Sequence, residues 1–403
     1  MELDQFEADA VAFLDRHATV KTDRRTAWGE GSDRVGLFEE KTREQELAEL
    51  ATAQAWRRQV FDAGFGWISG PAVYGGRGLS AEHERRWQAV QARYRVPSGT
   101  VFAIGLGMVA PTIVAHGTES AKQRYLRGLY RGDVVGCQLF SEPGAGSDLA
   151  SLQTKAERDG DVWVINGQKV WTSGAQFSDI GEILCRTDPA VPKHKGITGF
   201  LVDMRAPGVE VRPLRQMTGG ATFNEVFFTD VEVPDDHRLG DVNAGWGVAL
   251  TTLMSERAAI GGGAASGASF GVGQLIELAR HLGRQGDPLL RQQLADLWIN
   301  IHVARITNLR AMEKLQAGQI PGPELSTAKL ALTNNLQLIS QFLSSALGAR
   351  LIADSGEWGT YAWAELVLGV PGFRVAGGTD EVLRNIIGER VLGLPKEPRA
   401  VPS

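Results

Sequence analysis

Residues 251–263 read TTLMSERAAIGGG, and Glu256 is a lone carboxylate in a run of apolar and small residues. A carboxylate taken out of water is costly unless it is paired or used, so Glu256 is a candidate general base or a candidate salt-bridge partner. Arg257 is a poor partner for it, because neighbours at i and i+1 point different ways on a helix. Three further stretches combine glycine with hydroxyls. SEPGAGSDLA (141–150) follows a strand-like run and offers backbone N–H groups with two serines, a loop able to cradle a phosphate or pyrophosphate. An ordinary turn, with Gly144 and Gly146 in left-handed geometry, is the other reading. The loop is neither GxxxxGK[ST] nor GxGxxG, so neither a nucleoside triphosphate nor the usual dinucleotide fold follows. NGQKVWTSGA (166–175) sets Trp171 between a strand and a Ser/Gly turn, where an indole either covers a flat ring or fills a core. In AGGTDEVLRNIIGERVLGLP (376–395), Thr379 is placed to cap a helix whose first turn carries Asp380 and Glu381. The preceding Gly-Gly also lets a ligand come close to that helix start.

These stretches need elements to hold them. At 403 residues the chain exceeds the usual size of one core, so two or three packed units are expected. Residues 1–133 read as helical. In EEKTREQELAELATAQAWRRQVFDAGF, Leu47, Leu50, Ala51 and Phe61 share a helical face, and SAKQRYLRGLYRGD (120–133) is an amphipathic helix stopped by Gly132. Residues 134–240 change texture: VVGCQLF, GDVWVING, QKVWTS, GITGFLVDM and NEVFFTDVEVP are β-branched or alternating, with turn signals between them, which predicts an antiparallel sheet or barrel. Residues 241–403 return to long amphipathic helices punctuated by GQIPGP. The order α, β, α makes an α+β fold with helices flanking a small β unit.

Several classes are excluded. A formal charge of −5 without a basic stripe argues against nucleic acid. The N-terminus, MELDQFEADAVAFLDRH, lacks the regions of a signal peptide. TVFAIGLGMVAPTIVAHG (100–117) is interrupted by Gly105, Gly107 and Pro111 and reads as a buried helix, not a membrane span. Cys137 and Cys185, with no CxxC, read as reduced structural cysteines of a cytoplasmic protein, and no metal site is expected.

Taken together, SEPGAGSD, INGQKVWTS some twenty residues later, and GGTDEVLRNIIGERVLG near the end resemble the acyl-CoA dehydrogenase family over essentially the whole chain; YGGRG (74–78) and FNEVFFTDVEVP (223–234) add to the likeness. The resemblance implies an N-terminal helical domain, a middle antiparallel β domain and a C-terminal four-helix bundle. It implies non-covalent FAD and α,β-dehydrogenation of an acyl-CoA thioester to the trans-2-enoyl-CoA, with electrons leaving to an electron-transferring flavoprotein. By position, Gln138, Phe140, Ser141, Gly146, Ser147, Trp171, Thr172, Ser173, Arg280, Thr379 and Glu381 match FAD contacts, and Ser147, Arg257 and Gly377 match substrate contacts. In medium-chain and short-chain relatives the base stands directly before the Gly-Thr of the C-terminal motif, where this chain has Gly377. In isovaleryl-CoA and long-chain relatives it comes from the first bundle helix, directly before an Arg, which here is Glu256. The family's Arg-x-Thr-Phe-Gly stretch, which reaches the partner subunit's FAD, is degraded to ARHLGRQGDP (279–288), leaving Arg280 or Arg284 to serve. A homotetramer or homodimer follows from the likeness, or a pair with a paralogous subunit. Two other readings stand beside the dehydrogenase: a flavin oxidase or monooxygenase of the same fold, and a subunit with little activity alone.

Overall fold

The computed structural model describes residues 1–21, 28–35, 41–261, 271–316 and 326–396, without the side chains of 257–261 and 311–316. The chain divides into two compact units, Met1–Arg24 with Glu40–Ser255 and Arg25–Glu39 with Glu256–Ser403.

In the first unit, α1 (Leu3–His17) buries Phe6, Ala10, Phe13 and Leu14, the spacing of one apolar helical face. The short strands β1 (Thr19–Val20) and β2 (Tyr94–Arg95) pair antiparallel. Between them, α2 (Arg43–Asp62) opens on a capping box made by Thr42 and Gln45, and α3 (Ala81–Gln91) brings Trp87 to stack on Phe65 at 4.6 Å. The face of α2 differs from the sequence expectation. Leu50 and Phe61 pack half-buried against the core as expected, but Ala53 and Val60 are the buried residues, whereas Leu47 and Ala51 are exposed. Arg57 lies on the buried face, donating to the carbonyls of Tyr130 (2.8 Å) and Gly66 (2.6 Å), and hydropathy counts such a residue as polar. The run 100–117 is not one helix. It breaks into a 3-10 turn (Thr100–Phe102), a π turn (Gly105–Val109) and α4 (Ala110–His116). Gly105 comes so near Gly136 that a Cβ there would lie 3.2 Å from the Gly136 nitrogen. α5 (Glu119–Arg131) stops at Gly132, whose φ is +83°.

The strands β3 (Gly136–Leu139), β4 (Lys155–Asp159), β5 (Val162–Ser173), β6 (Ile180–Arg186), β7 (Ile197–Asp203), β8 (Val209–Leu214), β9 (Phe223–Pro234) and β10 (Arg238–Leu239) form one sheet in the order β10-β7-β6-β4-β5-β9-β8, with β3 joining β6. Most pairs are antiparallel, but β3–β6 and the single β4–β6 contact are parallel, so the sheet is mixed. β6 and β7 are buried along almost their whole length, which is why they read as continuous apolar runs without alternation. Cys137 and Cys185 are free thiols inside this core, and burial pushes both up to about 12. The helix α6 (Gly245–Gly261) follows, with Val248, Ala249 and Thr252 buried.

In the second unit, α7 (Val272–His281), α8 (Pro288–Gln316), α9 (Ser326–Leu347) and α10 (Trp363–Val375) meet around Leu278, Leu297, Phe342 and Leu366, and α11 (Asp380–Arg390) packs on α9. Residues 28–35 belong here as well. Trp28 stacks on His281 at 5.0 Å, and the Asp33 carboxylate accepts the Gly359 N–H at 2.8 Å. No described helix is long and apolar enough to cross a membrane, and no group of metal-binding side chains occurs among the described residues.

Candidate active site

β3 hands the chain to Phe140, which is buried, and Ser141, which is half-buried; Gln138, inside β3, is also half-buried. Pro143 and Gly144 then make a tight turn closed by two reciprocal Glu142–Ala145 backbone bonds of 3.0 Å. Gly144, Gly146 and Ser147 are exposed, and a Cβ at either glycine would meet nothing within 4 Å. The loop is thus an open shelf of backbone, as an anion cradle requires. Its far end is tied down: Lys193 donates to Asp148 at 2.6 Å, and the Arg186 guanidinium donates to the carbonyls of Ala150 and Leu152. A recess of about 260 Å³ lies behind the shelf, lined by Pro143, Ser151, Gln153 and Gly167 among others; Phe140, Ser147 and Trp171 do not line it.

The second stretch lies on β5. Its register with β9 slips between Lys169 and Thr172, and Trp171 sits in that irregularity with φ +61° and 58% exposure. A bulge re-aims side chains, and a non-glycine residue at positive φ persists only where its surroundings hold it. The reading of Trp171 as core packing therefore falls. Thr172, next along, is buried, and its Oγ1 has no hydrogen-bond partner among the described residues. A buried hydroxyl of this kind has room for a bound group's polar atom as its partner. Ser173 is half-buried, and Asn224 Nδ2 fixes the turn by donating to the Thr172 carbonyl (3.1 Å) and to Gln176 Oε1 (2.6 Å).

The two stretches are stitched together by residues that the sequence did not single out. Lys169 Nζ, fully buried, donates to Glu142 Oε1 at 2.8 Å and to the Phe140 carbonyl at 3.1 Å. Glu142 also accepts from the Gln153 N–H (2.7 Å) and the Thr154 N–H (2.9 Å). Burial pushes the Glu142 carboxyl up, but Lys169 and these donors outweigh burial and hold it below the usual carboxylate range. The available signal was a lysine and a glutamate inside otherwise apolar or small-residue runs.

In the second unit, Glu256 is half-buried on α6; the side chain of Arg257 lies outside the described residues. Gly377 and Gly378 both hold left-handed backbone, with φ of +66° and +86°. Thr379 caps α11 by accepting the Val382 N–H at 3.1 Å, as read from sequence, while Glu381 is exposed and 3.6 Å from Arg384. Asp380 carries the turn's anchor. It is buried and takes Lys329 (2.9 Å), Arg374 (2.9 Å) and Thr333 (3.0 Å). Burial raises its carboxyl, and those three donors override burial to lower it. Of the two candidate arginines, Arg284 is occupied at home, donating to the Ser345 carbonyl (2.8 Å) and to Asp287 (2.6 Å). Arg280 is exposed and donates to Glu277 at 3.1 Å.

Sequence models of three acyl-CoA dehydrogenase domains match the chain: the N-terminal domain over 36–133, the middle domain over 137–231 and the C-terminal domain over 243–392. The chain belongs to the acyl-CoA dehydrogenase family. It is 40% identical over 353 residues to the acyl-CoA dehydrogenase FadE34 of Mycobacterium tuberculosis, covering 87% of this chain and 48% of that one, so it spans about half of that relative. It is 38% identical over 347 residues to the acyl-CoA dehydrogenase IpdE1 of the same organism, covering 86% and 89%. Among solved structures, the Tcur3481-Tcur3483 steroid ACAD superposes with a TM-score of 0.74 at 28% identity, covering 98% of both chains. The ChsE4-ChsE5 complex from Mycobacterium tuberculosis superposes at 0.69 with 27% identity, also covering 98% of both. As an acyl-CoA dehydrogenase, the chain is a flavin-dependent oxidoreductase with the family's helical, β and helical domains. The unsatisfied Thr172 hydroxyl, the outward Trp171 and the open Gly144–Gly146 shelf fit a flavin with its phosphates.

Proposed function

We propose that this chain uses FAD to oxidise the Cα–Cβ bond of an acyl-CoA thioester, giving the trans-2-enoyl-CoA and passing electrons to an electron-transferring flavoprotein. When bound, FAD supplies the acceptor for the hydride that leaves the β-carbon. Gln138, Phe140, Ser141, Gly146, Ser147, Trp171, Thr172, Ser173, Thr379 and Glu381 would hold it, and Arg280 is the arginine assigned to the neighbouring subunit's FAD. Glu256 removes the α-proton, and the Gly377 N–H steadies the developing charge on the thioester oxygen. Ser147 and Arg257 complete the substrate contacts.

The observation that carries this assignment of the base is the backbone at Gly377. A φ of +66° suits glycine and strains a glutamate, so this turn is not built to carry a side-chain base. The half-buried carboxylate of Glu256 then takes the role.

The likeness to a steroid ACAD, together with the small Ala376 and Gly377, supports a bulky acyl group such as a sterol side chain. Anaerobic titration of the purified chain with straight-chain, 2-methyl-branched and sterol-side-chain CoA esters, following bleaching of the flavin's visible band, tests both claims. A clear preference for short unbranched chains defeats the substrate assignment, and no bleaching by any ester defeats the activity.

Association with another acyl-CoA dehydrogenase chain is part of the proposal. Trp298, Ile299, Val303, Ile306 and Leu309 leave an apolar stripe exposed on α8, and the Tcur3481-Tcur3483 and ChsE4-ChsE5 neighbours are named as two-component assemblies. A partner of the paralogous kind is the second reading, favoured by the degraded 279–288 stretch and by Arg284 being spent within its own chain. Co-expression with candidate paralogues, measuring flavin content and turnover against the chain alone, decides between them.

A further inference from the structure

We propose that the buried Lys169–Glu142 pair is a positioning device for the flavin: it sets the Phe140–Ser141 segment against the Trp171–Ser173 segment, and cofactor affinity depends on it more than the fold does. The inference rests on FAD being the cofactor.

The geometry is specific. Lys169 is the last residue of β5 in regular register with β9 before the slip that turns Trp171 outward. Its ammonium joins the Phe140 carbonyl to the Glu142 carboxylate, while the Val170 N–H donates to the Ser141 carbonyl at 2.8 Å. Glu142 in turn collects the N–H groups of Gln153 and Thr154, where the chain leaves the loop. One ion pair therefore fixes the start of the loop, its exit and the strand beside it.

Stability alone does not account for such a pair. Removing two charges from water is expensive, and well-packed apolar residues of similar volume often serve the fold as well or better. What apolar residues cannot do is bond a carbonyl and two N–H groups at fixed positions. The reciprocal Glu142–Ala145 bonds close the turn, but Gly144, Gly146 and Ser147 are exposed, and a Cβ at either glycine would meet nothing within 4 Å. Lys169 and Glu142 add directed bonds at the start and exit of that loop.

The test is the double variant K169M/E142L, compared with wild type by thermal unfolding of the apoprotein and by FAD titration monitored through flavin fluorescence and the shape of the visible band. The expected result is an apoprotein that still folds cooperatively, FAD affinity at least tenfold weaker, and a visible band resembling that of free flavin. A merely structural pair gives the opposite: FAD binding within threefold of wild type and an unchanged band, which overturns the proposal. Should the double variant not fold, E142Q decides by the same titration, and undiminished affinity refutes the role. A wild-type chain that takes up no FAD refutes the functional reading itself, and this inference with it.

Discussion

Glu182 on β6 should make the protein lose stability as the pH rises from acid to mildly alkaline, and Glu182→Gln should remove that loss. The residue is fully buried, facing Leu201 of β7 and Gln138 of β3 in register. Its Oε1 accepts from Thr252 Oγ1 at 2.5 Å, Thr252 meets Thr112 Oγ1 at 2.8 Å, and Oε2 has no partner among the described residues. Burial pushes this carboxyl up to about 8, with the Thr252 bond acting weakly against it. The fold therefore keeps the proton between its ordinary value of 4.5 and about 8, while the unfolded chain releases it. With more protons bound in the folded state, stability falls as pH rises, by about 1.4 kcal/mol per pH unit across that window. The sum is about 5 kcal/mol between the two ends. Half-buried His116 and buried His237 have lowered pKa values, desolvation being the main cause, and act in the opposite direction. Comparison of variant with wild type cancels them. Near pH 5, E182Q should melt within a few degrees of wild type, since the amide replaces a neutral acid of the same shape. Near pH 8.5 it should melt higher, by on the order of 10 °C for a unit of this size. Melting curves at half-unit pH steps measure the difference, and infrared spectroscopy should show a protonated-carboxyl band at pH 7 that the variant lacks. A melting difference that does not change with pH would refute the reasoning.

Three other outcomes are expected. Glu256→Gln should keep FAD and ligand binding but lose flavin reduction by at least about a hundredfold in anaerobic stopped-flow, the scale of a missing general base; reduction at the wild-type rate would assign the base elsewhere. Asp380→Ala strands Lys329 in the core without its carboxylate and should cost about 3–5 kcal/mol, read from chemical denaturation. Val303→Asp, on the exposed stripe of α8, should shift the protein to a smaller species in sedimentation while leaving circular dichroism unchanged.

Much of this site was legible in the sequence because glycine, serine and tryptophan in loop contexts signal themselves. SEPGAGSD, QKVWTS and GGTD all turned out to be exposed or irregular backbone, and the predicted stop at Gly132 and cap at Thr379 are present. The failures share a cause. The face of α2 was misread because Arg57 is inside, and the 100–117 run breaks where Gly105 must pass close to Gly136, a contact between residues 31 positions apart. Lys169, Glu142, Asp380 and Glu182 went unnoticed as anchors because periodicity assigns charges to the surface, and only tertiary partners bring such groups inside.

The same device occurs in both units. In one, the shelf holding Gly144 and Gly146 is backed by Glu142 with Lys169; in the other, the left-handed Gly377–Gly378 turn is backed by Asp380 with Lys329 and Arg374. Backbone offered to a ligand cannot spend its own groups on packing, so glycine-rich segments of this kind lack the contacts that would otherwise define their position. A buried carboxylate supplies several directed bonds from one side chain, and a buried cation makes its burial tolerable. Apolar packing could stabilise these regions but would fix no carbonyl or N–H to a given place. The two buried charge clusters are thus better understood as the cost of placing ligand-facing backbone than as contributions to stability, and each sits directly beside a glycine-rich segment.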